Sequence, residues 1–380
     1  MQGARSKART TCRGHRHCLR LRRRVEDGRG IHRRDCRAVR AVGERRGGEF
    51  VRLCRLPGGS TGLITDPHGL DVVEIHASLP SFASSDATAA AALELHFNGG
   101  EESWCGVIDN WDDLSGALSA LEAWAAADAS RVRRVEPAEL EAPLPDRASH
   151  IFAIGANFAS HGARSQRVIE GDDLSTVEGR ARALVAAKAS GTPPWGFNVL
   201  PGTVIGHEDA IRRPEGIVRF DYEGEVGAVL RTTPAGATSI WGVVPWNDVS
   251  IRDKYFGLGP RVDEGPLTWS LQKNFDCGNA CGPWVTIDEA IDVDNIEIRL
   301  RVNGDERQRG STDEMVYRFD EAIEHFGTWL TLRSGDMIAS GTPAGTAIEE
   351  GDGGPYLADG DVVEVELVGI ATLRNHVVPT

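Results

Sequence analysis

Residues 220–230 read FDYEGEVGAVL, an apolar strand-like run that carries Asp221, Glu223 and Glu225 at alternate positions. In a β-strand, residues two apart share a face, so this spacing lines three carboxylates along one side within roughly 14 Å. Like charges at such separations raise one another's pKa unless a positive charge stands among them. A solvent-facing strand tolerates Glu223 and Glu225 without a partner. Gly224 and Gly227, however, thin the strand, and few other charges lie nearby to soften the cluster. Downstream, WGVVPWNDVSIRD places Asp248 within a mostly apolar run between Trp246 and Val249. A carboxylate arriving on a neighbouring strand would complete three oxygen ligands with open positions for water, the donor set of a hard cation such as Mg²⁺, Mn²⁺ or Ca²⁺.

The charge balance narrows the partners. Residues 1–46 hold fifteen Arg and one Lys against four acids, a local +12, which leaves −26 for the rest of a chain whose net charge is −14. So acidic a body repels phosphate backbones, and no nucleic-acid partner is expected for it. The basic head lacks an apolar face, and residues 1–49 read as a disordered or artefactual extension. Cys12, His15, His17 and Cys18 within it fit no zinc spacing. No run of 18 apolar residues suggests a membrane span. Seven scattered cysteines form no disulfide framework and fit a reducing, cytoplasmic setting.

Residues 50–145 are expected to form a small N-terminal domain, with β-like FVRLCRL and DVVEIHA, a helix over Leu114–Trp124, and the proline-bearing EPAELEAPLPD as linker. From 146 to 380 the chain is strand-rich: HIFAIGAN, IEIRLRVNG, GDMIASG and GDVVEVELVG, with Asn303-Gly304 as a hairpin turn. Ser175 and Glu178 form a capping-box pattern for a helix through RARALVAAKA that Gly191 ends. Gly58-Gly59-Ser60-Thr61-Gly62 follows a proline and leads into no helix, so it reads as a turn and not a nucleophile elbow.

Five segments taken together, in order, are more specific than any one alone: GANFASH (155–161), DYEGE (221–225), NDVSIRD (247–253), KNFDCGNACGPW (273–284) and SGTPAGT (340–346). With VNGDERQ and GDVVEVELVGIATLRN, the region 146–380 resembles the fumarylacetoacetate hydrolase family. That resemblance implies a β-rich α+β fold, a roll of mixed sheets preceded by the N-terminal accessory domain, and a homodimer. It implies that Glu223, Glu225 and Asp248 hold a divalent cation, Mg²⁺ or Mn²⁺, with Ca²⁺ as an alternative. Arg252 and Lys273 would face the substrate's developing negative charge, and His161 would be the general base. Asn157, Phe158, Gly341 and Thr342 would bind the substrate, a small-molecule 2-oxo acid. The activity implied is hydrolysis of a carbon–carbon bond in a β-diketone or acylpyruvate-type acid, as in breakdown of aromatic compounds. A lyase or isomerase acting on 2-oxo or 2-hydroxymuconate-type acids would use the same site, and so would a catalytically silent ligand-binding member.

The sequence departs from the family pattern in three places. Phe158 replaces a Tyr, and Arg164 stands where a Glu usually orients the base, a change that would leave His161 beside a cation and without an acidic anchor. The interval after His161 is also some 20 residues longer than the family pattern, which implies a rebuilt lid over 162–195. Glu170, Asp172 or Asp173 from that lid could supply the missing carboxylate; the alternative is that each is a solvated loop residue.

Overall fold

The computed structural model describes residues 50–100, 103–256 and 266–380. The basic head at 1–49 lies outside the described residues. Among them, no helix is long and apolar enough to cross a membrane.

The strand-rich α+β expectation holds. One twelve-stranded mixed sheet runs, neighbour to neighbour, through Arg133–Arg134, Asp71–Glu74, Thr61–Asp66, Val51–Arg55, Val285–Ile287, Thr238–Asp248, Gly224–Thr232, Met337–Ala339, Ile151–Ile154 and Gly196–Val199, with Asn279–Cys281 and Val204–Ile205 attached beside this path. A five-stranded sheet orders Asp305–Ser311, Glu297–Val302, Val362–Leu367, Ala371–Pro379 and Ala210–Arg213. Its strands EIRLRV and VVEVEL bury every second residue, as one-sided packing demands. Asn303 and Gly304, at φ 53° and 85°, make the two-residue turn between the first two strands. Gly224–Thr232, by contrast, is buried on both faces from Gly224 to Leu230 and forms the middle of the large sheet.

Residues 50–145 extend the large sheet. Val51 pairs with Ile287 and Leu53 with Val285. The helix Trp111–Ala126 buries Leu114, Leu118, Leu121 and Ala125, one face at 3.6-residue spacing, into the core that also holds Val244, Trp246 and Val285. The proline-bearing linker is pinned: Arg55 donates to the carbonyls of Leu144 and Pro145, and Glu141 N donates to Arg55 O.

The segment after His161 folds as two helices, Ala159–Glu170 and Val177–Ala189. The capping box at Ser175 does not form. Asp173 caps instead, accepting from Ser175 N at 2.8 Å, and Glu178 pairs with Arg182 one turn on. The helix therefore opens with a 3₁₀ turn at Leu174–Thr176, and Gly191 ends it at φ 87°. Val177–Ala189 has no fully buried residue. Polar anchors hold it to the body: Lys188 Nζ donates to Val316 O (2.6 Å) and pairs with Glu321, and Tyr317 Oη donates to Thr192 O (2.6 Å).

Candidate metal-binding active site

The alternation seen in the sequence assumes one continuous strand, and the chain breaks it. Phe220–Asp221 pairs with Ser250–Ile251, while Gly224–Thr232 pairs with Thr238–Asp248. Tyr222 and Glu223 bridge the two. Asn247 Oδ1 accepts from Glu223 N at 3.1 Å, and Asp248 N donates to Glu223 O at 2.9 Å. These bonds seat the end of one strand against the start of the other. Oxygens of Glu223, Glu225 and Asp248, all three residues buried, come within 4.8 Å of one another. Two ligands on opposite sides of Ca²⁺ are separated by about 4.6–5.2 Å and of Mg²⁺ by about 4.0–4.2 Å, so the triad has the span of a single oxygen-bound cation after a small inward shift.

Asp221 belongs to another task. Its carboxylate accepts from the backbone N–H groups of Ala347 (2.8 Å) and Ile348 (3.2 Å) and takes Arg252 Nε at 3.1 Å. It thus caps the turn Ala347–Gly353 and ties that turn to Arg252.

The remaining charges decide what fits. Arg252 Nη2 bonds Glu223 Oε1, and Lys273 Nζ bonds Glu223 Oε2 and, at 2.8 Å, Asp248 Oδ2. Four buried carboxylates (Asp221, Glu223, Glu225, Asp248) face two buried cations, a deficit of two positive charges. Asp248 Oδ1 is buried with no hydrogen-bond partner, which is costly for a carboxylate oxygen. A divalent cation would supply both the missing charge and the missing partner. The electrostatics agree. Burial opposes ionisation of Glu223, but Lys273, Arg252 and His161 outweigh it and hold the group near 2. Burial, then repulsion from Asp248 and Glu223, pushes Glu225 well above the ordinary carboxylate range. Burial raises Asp248 to about 6 despite Lys273. A bound cation would therefore compete with protons for Glu225 and, in the acidic range, for Asp248.

His161 lies in the first turn of Ala159–Glu170, not in a loop, and is buried. Its Nδ1 lies 2.8 Å from Glu349 Oε1, while Nε2 faces Glu223 Oε1 at 3.9 Å. A carboxylate can only accept, so Nδ1 carries a proton, and in the neutral tautomer Nε2 would present its lone pair to the acidic cluster. Glu349 is the acidic anchor missing at position 164. It is supplied by the Asp221-capped turn, and Gly345 N also donates to it at 3.1 Å. Arg164 Nε lies 3.9 Å from the other Glu349 oxygen, and Arg167 donates to Glu349 O. The acids of the 162–195 segment are engaged elsewhere: Glu170 and Asp172 pair with Arg180, and Asp173 caps. The only sign of Glu349 in the sequence is the acidic pair after GTPAGT.

Of the other candidates, Thr342 Oγ1 donates to Gly224 O (3.0 Å) and accepts from Gln308 Nε2 (2.7 Å), fixed at the edge of the cluster. Gly341 N donates to Glu225 Oε2 at 3.0 Å. At φ 80°, and with Ile154 O only 2.6 Å from where a Cβ would sit, no larger residue fits position 341. Asn157 is spent on scaffolding, donating to Tyr317 O and Ser340 O and accepting from Tyr317 N. Phe158 lies wholly within the apolar core.

Residues 150–378 match the family described as fumarylacetoacetate (FAA) hydrolase C-terminal. A protein of Archaeoglobus fulgidus with no assigned activity is 36% identical over 181 residues, 46% of this chain and 65%, just under two thirds, of its own length. Oxaloacetate tautomerase YisK of Bacillus subtilis is 28% identical over 248 residues, 63% of this chain and 73% of that protein. The crystal structure of maleylpyruvate hydrolase from Sphingobium sp. SYK-6, in complex with manganese(II) and pyruvate, superposes with a TM-score of 0.55 at 19% identity, covering 86% of this chain and 99% of that one. The fold is shared with that hydrolase, and the ordered motifs from GANFASH to SGTPAGT fall inside the matched region. The chain belongs to the fumarylacetoacetate hydrolase family.

Proposed function

We propose that the protein is a divalent-metal-dependent hydrolase that cleaves the carbon–carbon bond of an acylpyruvate-type 2-oxo acid, using Mn²⁺ or Mg²⁺ held by Glu223, Glu225 and Asp248. The observation that carries the reading is the buried His161–Glu349 pair, whose Nε2 faces the acidic triad. A cation bound there supplies Lewis acidity toward the oxo and carboxylate oxygens of the substrate. His161 Nε2 takes a proton from water as the water oxygen bonds to the acyl carbonyl carbon. Glu349 stabilises the imidazolium that results, in the manner of other base–orienter pairs. The bond between the acyl carbon and its neighbouring carbon then breaks, and its electron pair passes to the pyruvoyl unit. His161 returns the proton to that carbon, giving a carboxylic acid and pyruvate. Arg252 and Lys273 keep Glu223 ionised and leave fixed positive charge beside the pyruvoyl unit. Charges pre-oriented in this way are worth on the order of 10²-fold in rate.

The 28% identity to an oxaloacetate tautomerase favours a second reading, enol–keto or decarboxylase chemistry on a 2-oxo diacid at the same centre. The two separate in one assay. Mn²⁺-loaded protein should bleach the enol absorbance of acetylpyruvate and release acetate and pyruvate. Turnover of oxaloacetate with acetylpyruvate untouched would replace the hydrolase with the second reading.

A further inference from the structure

From Lys273 a line of aromatic rings leads out of the acidic centre. Lys273 Nζ, bonded to Glu223 and Asp248, lies 5.4 Å from the ring centroid of Phe197. Phe197 meets Trp269 at 5.5 Å with planes inclined by 64°, and Trp269 meets Trp195 at 5.2 Å and 78°. Lys254 Nζ stands 5.4 Å from the Trp269 ring and fixes it from a further side.

Trp195 is 56% exposed, as are Leu200 (55%), five residues on, and Leu271 (50%), two residues after Trp269. It is nevertheless held in place. Trp195 O accepts from Gly155 N at 2.9 Å, and a Cβ on Gly155 would fall 1.9 Å from the indole, so the ring lies directly on the backbone of the GANFASH segment that leads to His161. A large indole packed against the entrance to the base helix, yet more than half exposed, is an apolar surface that no described residue closes off. The rings are continuous with the catalytic centre through Phe197, which singles out the part of the substrate that projects from that centre as the occupant.

We infer that Phe197, Trp269 and Trp195 form an acyl-arm subsite, which selects 2-oxo acids whose acyl group is planar and unsaturated, aryl or polyenoic, over those with a short alkyl or carboxylate arm. The inference rests on the function proposed above. Flat arms stack on tilted rings and bury apolar area that a methyl arm leaves exposed, and the gain is realised in binding the arm and not at the bond that breaks.

The test compares benzoylpyruvate with acetylpyruvate on the Mn²⁺-loaded full chain. The wild type should prefer benzoylpyruvate by about 10- to 100-fold in kcat/KM. Trp195→Ala should erase most of that preference, its KM rising by a larger factor for benzoylpyruvate than for acetylpyruvate. Trp195→Phe, which keeps a ring, should retain most of it. Equal loss on both acids, or no preference in the wild type, overturns the subsite. So does a change in sedimenting mass on Trp195→Ala, which would make the rings an interface between copies. If neither acid turns over, the hydrolase reading falls and calorimetric binding of the same two acids decides the subsite. Tighter binding of benzoylpyruvate that Trp195→Ala abolishes upholds it, and equal affinities overturn it.

Discussion

Replacing Glu349 by Gln isolates charge from shape at the proposed base. Oε1 of Glu349 receives both His161 Nδ1 (2.8 Å) and Gly345 N (3.1 Å), while Oε2 lies toward the half-exposed Arg164 at 3.9 Å. A glutamine can keep its carbonyl at the Oε1 position and place its amide nitrogen where Oε2 was, so His161 remains oriented with its proton on Nδ1. What is lost is the negative charge that steadies the imidazolium. A hydrogen bond to a charged group contributes about 1.5–3 kcal/mol where its neutral counterpart gives about 1 kcal/mol or less. The difference, roughly 1–2 kcal/mol, corresponds to a fall in kcat of about 5- to 30-fold, with KM within about threefold. Steady-state hydrolysis of acetylpyruvate, followed by loss of enol absorbance, measures it, with Mn²⁺ affinity by calorimetry as the control. An unchanged kcat would refute the role given to Glu349. A loss matched by an equal loss of Mn²⁺ affinity would show that the residue acts on the cation site and not on the base.

Other outcomes follow from the same geometry. Because Glu225 is raised and Asp248 sits near 6, Mn²⁺ must displace protons, so its affinity should climb between pH 5 and 7 with proton release visible as a buffer-dependent heat. In the metal-free protein Glu225 and Asp248 hold protons more tightly than in the unfolded chain, so their contribution to stability falls as pH rises through 6 while that of His207, lowered to about 4 by burial, rises. The melting temperature of Glu225→Gln should therefore gain on the wild type as pH rises, a difference that saturating Mn²⁺ should blunt or reverse. Glu225→Gln removes one of the repelling carboxylates and should raise the metal-free melting temperature while weakening Mn²⁺ binding by about 10²-fold or more; a variant that kept wild-type affinity would remove Glu225 from the ligand set. Asp221→Ala leaves two backbone N–H groups and Arg252 Nε without their acceptor, and denaturant unfolding should show a loss of about 3–5 kcal/mol.

Much of this centre was legible because its acids are close in sequence. Glu223, Glu225 and Asp248 lie on the two arms of one antiparallel pair, where local spacing fixes spatial neighbours. Asp221 was misread for the converse reason. Two-residue periodicity holds only while a strand continues, and the change of partner at Tyr222 and Glu223 turned Asp221 toward Ala347. Glu349 could not be found by spacing at all. Nothing local links it to His161 across a sequence separation of 188 residues, so the missing carboxylate was sought in the nearby lid. The helix after Ser175 was correctly placed, but its cap was not. Ser175 and Glu178 match the pattern, yet Asp173 sits two residues earlier and offers a stronger acceptor to Ser175 N.

With its partner outside the 162–195 segment, the proposed base depends on how that segment is seated. Were both groups on Ala159–Glu170, the pair would survive any movement of that helix. Here the histidine rides on the helix, while the carboxylate belongs to a turn that Asp221 fastens to Arg252 and, through Arg252, to Glu223. The contacts of Arg164 and Arg167 with Glu349 cross the same boundary. The base is complete only while the helix is seated. Val177–Ala189, with no fully buried side chain and with its anchors at Lys188 and Tyr317, is the least costly part of this assembly to release. Lys188→Ala should therefore lower kcat on acetylpyruvate without touching any group at the centre, while Mn²⁺ affinity, set by residues on the sheet, stays within about twofold. If hydrolysis proceeded at full rate with the lid unlatched, the seating of the helix would have no bearing on the base, and the His161–Glu349 contact would be a packing feature of the fold.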